Sequence, residues 1–503
     1  MEKTEVIEAI NTLRKYNTET NRIEAKCAST DFSSKWHDTF SSFSNKYGGI
    51  ILFGIDEKTK FSTVGVYDLN DLQKKISSLC NEMEPSIRPD ILPLEFEGKN
   101  IMAVKIEEIQ QNKKPCYYKP KGLKAGSYTR VGDADLLMTD YEIYSHQSYN
   151  DHIIEDKRPT KNSSIEDLRK EELKEYIDKV KINRPNFSKN SFEKNLKLCC
   201  ITDSSESNIY PTLAGTLIFG EFPQSYYPQL FVACTVIPGT EIGNIGKLGE
   251  RFIDNKRVEG TIEEMLEGTM NFLRRNMKTS VIINSVGQRE NRTEYPLEAL
   301  REAVANALIH RDYSTQTENA YISVYMYEDR IEILNPGELY GNNKLEKLGT
   351  ATVMEARNPN IVRILEEKGS VIENRHSGIP TMKREMEKYG LPEPEFFEER
   401  GSFKVIFRNK TKLITEQVSE QVSVQVSVQV SEQVSDQVKQ YIKLVLEYCN
   451  EPKTAKQIRE YLNLKSRSYV SNNIIKPLME LGYLEYTNKQ HPSASNQKYI
   501  TKK

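Results

Sequence analysis

The chain has 503 residues, 37% of them hydrophobic and 28% charged, with a formal net charge of −2. That length has room for several domains, and no apolar run approaches the ~20 residues that span a bilayer. The opening stretch, MEKTEVIEAI, lacks the apolar core of a secretory signal, so a cytoplasmic protein with no membrane partner is expected. Seven cysteines stand at 27, 80, 116, 199, 200, 234 and 449, with no Cys-x-x-Cys pair and no nearby His cluster, which predicts reduced thiols and no structural zinc. Charge is uneven. From Lys439 to Lys503 there are twelve Lys plus Arg against five Glu, or +7, which leaves −9 for the first 438 residues. A basic module on a mildly acidic body points to a nucleic-acid contact at the C-terminal end.

In chain order, residues 1–145 read as a mixed α/β domain. Asn21–Lys26 suits a short strand, and Ser33–Tyr47 a helix with Trp36, Phe40, Phe43 and Tyr47 on one face, ended by Gly48 and Gly49. Ile50–Ile55 reads as a buried strand, Leu69, Leu72, Ile76 and Leu79 mark a second helix, and a hairpin turns at Gly98 and Lys99. The loop from Ile109 to Gly132 carries Lys113, Lys114, Lys119, Lys121, Lys124 and Arg130, no acidic residue, and Tyr117, Tyr118 and Tyr128 between them. Lysines suit backbone phosphates and tyrosines offer stacking surfaces for bases, against the plain alternative of a solvated basic loop.

The order Glu19, Glu24, Lys26, then NKYGGIILFGID from Asn45 to Asp56, then GSYTRVG from Gly126 to Gly132, resembles the AlbA-type domain of the Schlafen family. The resemblance covers most of the first 140 residues. It implies an AlbA-like α+β fold that binds nucleic acid and, in some members, cleaves RNA with a metal held by three acidic residues. The candidates here are Glu19, Glu24 and Asp56. Three carboxylates converging on one point repel each other unless a divalent cation such as Mg²⁺ or Mn²⁺ neutralises them. The alternatives are a solvated turn for Glu19 and a strand cap for Asp56.

Residues 146–290 read as an α/β connecting domain. It starts with a charged connector around Asp156 to Glu175, and LAGTLIFG (213–220) and LFVACTVI (230–237) follow as expected buried strands. GTEIGNIGK (239–247) looks superficially like a phosphate-binding loop, but its glycine spacing is wrong and Leu248 stands where Ser or Thr is needed.

The central stretch of the chain is YPLEALREAVANALIHRDYS, Tyr295 to Ser314. Pro296 suits the first turn of a helix, and Leu300, Ala303, Val304, Ala307 and Leu308 recur at the spacing of one buried stripe. Glu302 and Asn306, four residues apart, project together on another face with Ala305 and Ile309. A carboxylate can orient water beside a phosphoryl group and an Asn oxygen can ligate Mg²⁺, against the alternative of a solvated Glu and a capping-type Asn. Ala320–Leu334 reads as two alternating strands joined at Glu328 and Asp329, ending in Asn335, Pro336 and Gly337.

With Arg357-Asn-Pro359, Ser377-Gly-Ile379 and Gly401-Ser-Phe403 further on, this ordered set resembles the divergent nucleotide-binding domain of the GHKL class, in the form found in bacterial transcriptional regulators. The resemblance implies an α/β sandwich over 291–410 that binds ATP with Mg²⁺. Glu302 would be the water-activating carboxylate, Asn306 the metal ligand, and Asn335, Gly337, Ser377 and Gly378 nucleotide contacts. Two departures stand out: the adenine-reading carboxylate is the amide Asn335, and the box around Ser377 and Gly378 is poor in glycine. His310-Arg-Asp312 is not a kinase loop, because position 317 is Thr rather than Asn and no Asp-Phe-Gly follows.

Thr415 to Val438 is a repeat, TEQV SEQV SVQV SVQV SEQV SDQV, read as a helical linker over 411–438 that pairs copies into a homo-oligomer. A strand and an unstructured spacer are the other readings. The last segment, 439–503, resembles a winged helix. Arg467, Ser468, Tyr469 and Asn472 crowd the start of its third helix, where a recognition helix meets base edges, and protein docking is the other use of such a module. Taken together, an α/β multidomain regulator is expected, in which ATP tunes binding to DNA, with RNA as the other nucleic-acid partner. The competing expectation is a nucleotide-gated, metal-dependent nuclease, which would fit a defence effector.

Overall fold

The computed structural model describes residues 1–205, 208–246, 248–283, 289–350, 354–369, 371, 378–409, 444–446, 448–462, 470, 474–475, 478–479, 483–487 and 498–501. The expectations placed on the tetrad repeat 415–438, on Ser377, and on Arg467, Ser468, Tyr469 and Asn472 lie outside these residues. The chain divides into two units, Met1–Phe407 and Arg408–Lys503.

In the first unit, α1 (Lys3–Tyr16) precedes a four-stranded sheet of β1 (Ile23–Lys26), β2 (Gly49–Phe53), β3 (Asp90–Phe96) and β4 (Lys99–Ile106), in the order β1-β2-β4-β3. β1 runs parallel to β2, with Ile23 opposite Ile50, and β4 runs antiparallel to β2 and β3. Strands apolar on both faces need cover on both. Val6, Ile10 and Leu13 of α1 cover one face, and Phe40 and Phe43 of α2 (His37–Asn45) with Leu72, Ile76 and Leu79 of α3 (Leu69–Glu82) cover the other. A hairpin of β5 (Tyr128–Val131) and β6 (Ala134–Leu137) lies on α2 and leads into α4 (Asp140–Asn150).

A larger sheet follows. It takes β7 (Val232–Val236), β8 (Asp254–Val258), β9 (Ile322–Met326), β10 (Arg330–Pro336), β11 (Glu395–Glu399) and β12 (Ser402–Arg408), in the order β8-β7-β9-β10-β12-β11. Its strands come from both the 146–290 and the 291–410 segments, and one apolar core runs from Leu168 to Phe407. α5 (Ile262–Asn276), α6 (Leu297–His310), α7 (Pro359–Lys368) and α8 (Gly378–Lys388) contribute to that core.

One expected element is corrected. LAGTLIFG is a helix, Leu213–Phe219, rather than a strand. Thr212 caps it, its hydroxyl accepting from Gly215 N–H at 3.0 Å, and all seven helical residues are buried. An apolar run buried all round carries no period that separates helix from strand, and the cap decides.

The second unit has a short helix, Ala455–Tyr461, opened by a Thr454/Gln457 capping box. Leu484–Tyr486 pairs antiparallel with Lys498–Thr501, and a third short strand, Lys453–Thr454, pairs on the far side. Ile458, Val470, Ile474, Leu478 and Leu484 are in its core.

Candidate functional site

α6 forms where the sequence places it. Leu300, Ala303, Val304, Ala307 and Leu308 enter the core, while Glu302, Asn306, Ile309 and His310 line a cavity of about 1290 Å³. Opposite lies the sheet. Side chains two apart on a strand share a face, and Ile333, Asn335, Phe396, Phe403 and Val405 form the cavity floor. Asn335 is the one polar side chain among those described strand residues. It is buried, and its Oδ1 is sealed without a hydrogen-bond partner.

Two glycines bring backbone against this space. Gly378 opens α8 beside the Glu302/Asn306 pair. A Cβ there would stand 2.2 Å from Glu302 Oε1 and 3.1 Å from Asn306 Nδ2. Gly337 has φ +108°, where a side chain is strained, and a Cβ would meet Arg357 Nη1 at 2.3 Å and Asp312 Cβ at 2.6 Å. Of the residues expected to contact nucleotide, Glu302, Asn306, Asn335, Gly337 and Gly378 therefore line one cavity.

The motifs flanking α6 are its supports. Asn358 is fully buried, and its Nδ2 donates to the Ile309 and Arg311 carbonyls at 2.8 Å each, satisfying the end of the helix. Arg311 is buried and donates to the Thr317 carbonyl at 3.0 Å. Asp312 pairs with Arg357 at 3.2 Å and accepts from Ser314 N–H and Tyr141 O–H at 2.8 Å each. Burial pushes Asp312 up, but Arg357 and these hydrogen bonds outweigh it and hold the carboxyl below its ordinary value. His310 lines the cavity and is exposed there; the surrounding protein and then the Arg357 charge shift its imidazole below its ordinary value.

Asp312, Glu338 and Arg357 also tie the cavity rim to the N-terminal domain. The Tyr141 hydroxyl that donates to Asp312 belongs to α4 and accepts from Glu338 N–H at 3.3 Å. Lys46 pairs with Glu398 at 3.3 Å, and Glu398 accepts from Leu339 N–H at 3.1 Å. Arg400 pairs with Glu142 at 2.5 Å. Glu338 accepts from Gly401 N–H at 2.8 Å, and burial raises its carboxyl to about 7 against that bond and Lys46. No sequence signal announced these joints, because the partners lie 59 to 352 residues apart in the chain.

The acidic trio does not assemble as expected. Glu24 is buried against Lys26 and Arg130, the latter at 2.5 Å. Arg130 also reaches Asp135 at 2.8 Å, and Asp135 accepts from Thr39 at 2.7 Å and from Ser42. Burial works against the Arg130 charge, but Glu24 and Asp135 raise its pKa. Glu19 accepts from Ala25 N–H at 2.8 Å. Its carboxyl is lifted to about 7 by burial and then by Glu24. Asp56 instead caps a short turn, accepting from Lys58 N–H at 3.2 Å. Among the described residues, no three of His, Cys, Asp and Glu are placed to hold one metal ion.

The basic loop is likewise mixed. Arg130 is 1% exposed and Lys114 7%, the latter paired with Glu108 at 2.8 Å, so neither presents to a nucleic acid. Lys113, Lys119 and Lys121 are exposed and Tyr117 is half-buried, and Lys119 pairs with Glu84 at 3.0 Å.

Family models match parts of the chain. Residues 19–139 match the Schlafen AlbA_2 family. Residues 319–407 match the HATPase_c_4 family, described as "Putative ATP-dependent DNA helicase recG C-terminal". Residues 436–501 match the C-terminal domain of the filamentation-induced-by-cAMP protein Fic-like family. Among curated proteins none matches. Two solved structures are similar at low TM-score. DIP2311 from Corynebacterium diphtheriae is 15% identical, covering 99% of this chain and 96% of that one, at TM-score 0.38. The N-terminal domain of a RecG-related protein from Nitrosomonas europaea is 29% identical, covering 26% of this chain and 90% of that one, at TM-score 0.21. Among the described residues, no helix is long and apolar enough to cross a membrane.

Proposed function

We propose that this chain is an ATP-binding, DNA-binding regulator in which nucleotide in the α6 cavity tunes how the N-terminal and C-terminal regions hold nucleic acid. The observation that carries the reading is one juxtaposition: Glu302 and Asn306, one turn apart, face a large cavity with the backbone of Gly378 against both. The residues present fit a metal-bound nucleotide. An apolar floor with one amide suits a base. The N–H groups at the start of α8 suit phosphate. Asn306 offers a neutral oxygen of the kind Mg²⁺ accepts, and Glu302 a carboxylate to orient water. ATP with Mg²⁺, when bound, supplies the phosphoryl group; the side chains here position it and exclude water.

The joints at Tyr141, Lys46 and Arg400 give the regulation a physical route. They attach the Gly337–Leu339 rim to α2 and α4 of the AlbA-like region, so a change at the rim alters the seating of that region. Exposed Lys113, Lys119 and Lys121 are the nucleic-acid contacts favoured there. The capped helix and paired strands of the second unit, with the +7 charge of its segment, favour a winged-helix contact with DNA. The nuclease reading is weakened by Lys26 and Arg130, which already neutralise Glu24.

The test is DNA binding by anisotropy with and without ATP and Mg²⁺. A nucleotide-dependent change in affinity, lost in Asn306→Ala, supports the reading. Equal binding under both conditions removes it.

A further inference from the structure

Among the described floor residues one side chain, Asn335, can hydrogen-bond, and its chemistry bears on which base the cavity reads. Asn335 stands on β10 between Ile333 and Gly337, with Phe396, Phe403 and Val405 completing the floor. It is 7% exposed, and no side-chain hydrogen bond holds its amide in one orientation among the described residues; Oδ1 is buried without a partner. A buried polar atom left in this state costs about 1–3 kcal/mol; Oδ1 is closed off as it stands, so a ligand supplies the missing partner once the amide turns toward the cavity.

We propose that Asn335 makes the cavity a general purine-nucleotide site, accepting 6-oxopurines such as hypoxanthine as well as adenine. The inference rests on the nucleotide reading above and concerns base selection alone. A carboxamide carries one acceptor and two donor hydrogens. Toward adenine it accepts from the exocyclic amine and donates to N1. Rotated by half a turn, it donates to O6 of hypoxanthine and accepts from N1–H. Both pairings use two bonds. A carboxylate at the same place has no donor, so it accepts from the adenine amine but opposes O6 with its own charge. A site built around a fixed acceptor rejects a base lacking the matching donor; a free amide does not. Guanine adds a 2-amino group whose fit depends on the surrounding wall, so inosine is the cleaner probe.

Calorimetric titration of the full chain with ADP and with IDP, each with Mg²⁺, tests this. Wild type is expected to bind the two within about tenfold of each other, and Asn335→Asp to keep ADP while weakening IDP by about a hundredfold or more. Wild type that binds ADP but prefers it over IDP by more than about tenfold overturns the inference and leaves the nucleotide reading standing. Binding of neither overturns both. Because the wild-type ratio decides the matter, a poorly folding variant does not obscure it.

Discussion

Around Arg130 the chain supplies its own counter-charges, Glu24 at 2.5 Å and Asp135 at 2.8 Å, inside a packed core. Around Asn306 it sets Glu302, Asn335 and the backbones of Gly337 and Gly378 against about 1290 Å³ of open space. Both regions hold the residue types that chemistry uses. The difference lies in their surroundings: the first is packed against the protein's own cations, and the second borders open space. A cluster of ionisable residues is thus weak evidence for a site until its partners have been counted.

The contrast breaks most visibly at Arg130. Arg130→Ala leaves Glu24 and Asp135 buried without their shared cation and is expected to cost about 3–5 kcal/mol, read as a lower urea midpoint. Asn306→Ala, at a half-buried position beside the cavity, is expected to cost under about 1 kcal/mol while abolishing nucleotide binding. Comparable losses of stability in the two variants would erase the distinction. Next in size is Gly337→Ala. The strained φ and the contacts a Cβ meets at Arg357 and Asp312 should cost about 1–3 kcal/mol. It should also loosen the rim joint to Tyr141, seen as faster protease cleavage near α4. Unchanged stability would mean that the Asp312–Arg357 pair yields freely.

A further prediction concerns pH and the joint itself. Glu338 has its carboxyl raised from 4.5 to about 7, so the folded chain holds a proton that the unfolded chain releases. Its contribution is full below about 4.5 and is lost as pH rises to about 7. Glu19 shifts in the same direction for the same first cause, burial. Glu338→Gln removes this loss, so its melting temperature is expected to gain on wild type between about pH 5 and about pH 8. A constant difference across that range would place Glu338 in ordinary solvent.

Much of this was legible in the sequence where local rules govern. The period of α6, the alternation of Ile322–Met326 and Arg330–Pro336, and the pairing of Glu302 with Asn306 on one helical face all follow from spacing. Legibility ended where distant partners decide. The loop 109–132 has no acid of its own, so it reads as phosphate-ready; Glu84 and Asp140 arrive from elsewhere to pair with Lys119 and Lys124, and Glu108, just before the loop, pairs with Lys114. Arg130 and Asp135 face each other only because the β5–β6 hairpin puts them in register. Asp156 was read as part of a charged connector, yet it is buried and accepts from Asn360 and Ile361 N–H at 2.7 and 2.9 Å, seating the start of α7.

The central claim is that the α6 cavity takes a metal-bound nucleotide through Asn306. Calorimetric titration of ATP into the full chain, with Mg²⁺ and with EDTA, addresses it most directly. The account predicts saturable, Mg²⁺-dependent binding to one site, lost in an Asn306→Ala variant that keeps the wild-type unfolding midpoint. Absence of ATP binding in wild type, or undiminished binding by the folded variant, would contradict it.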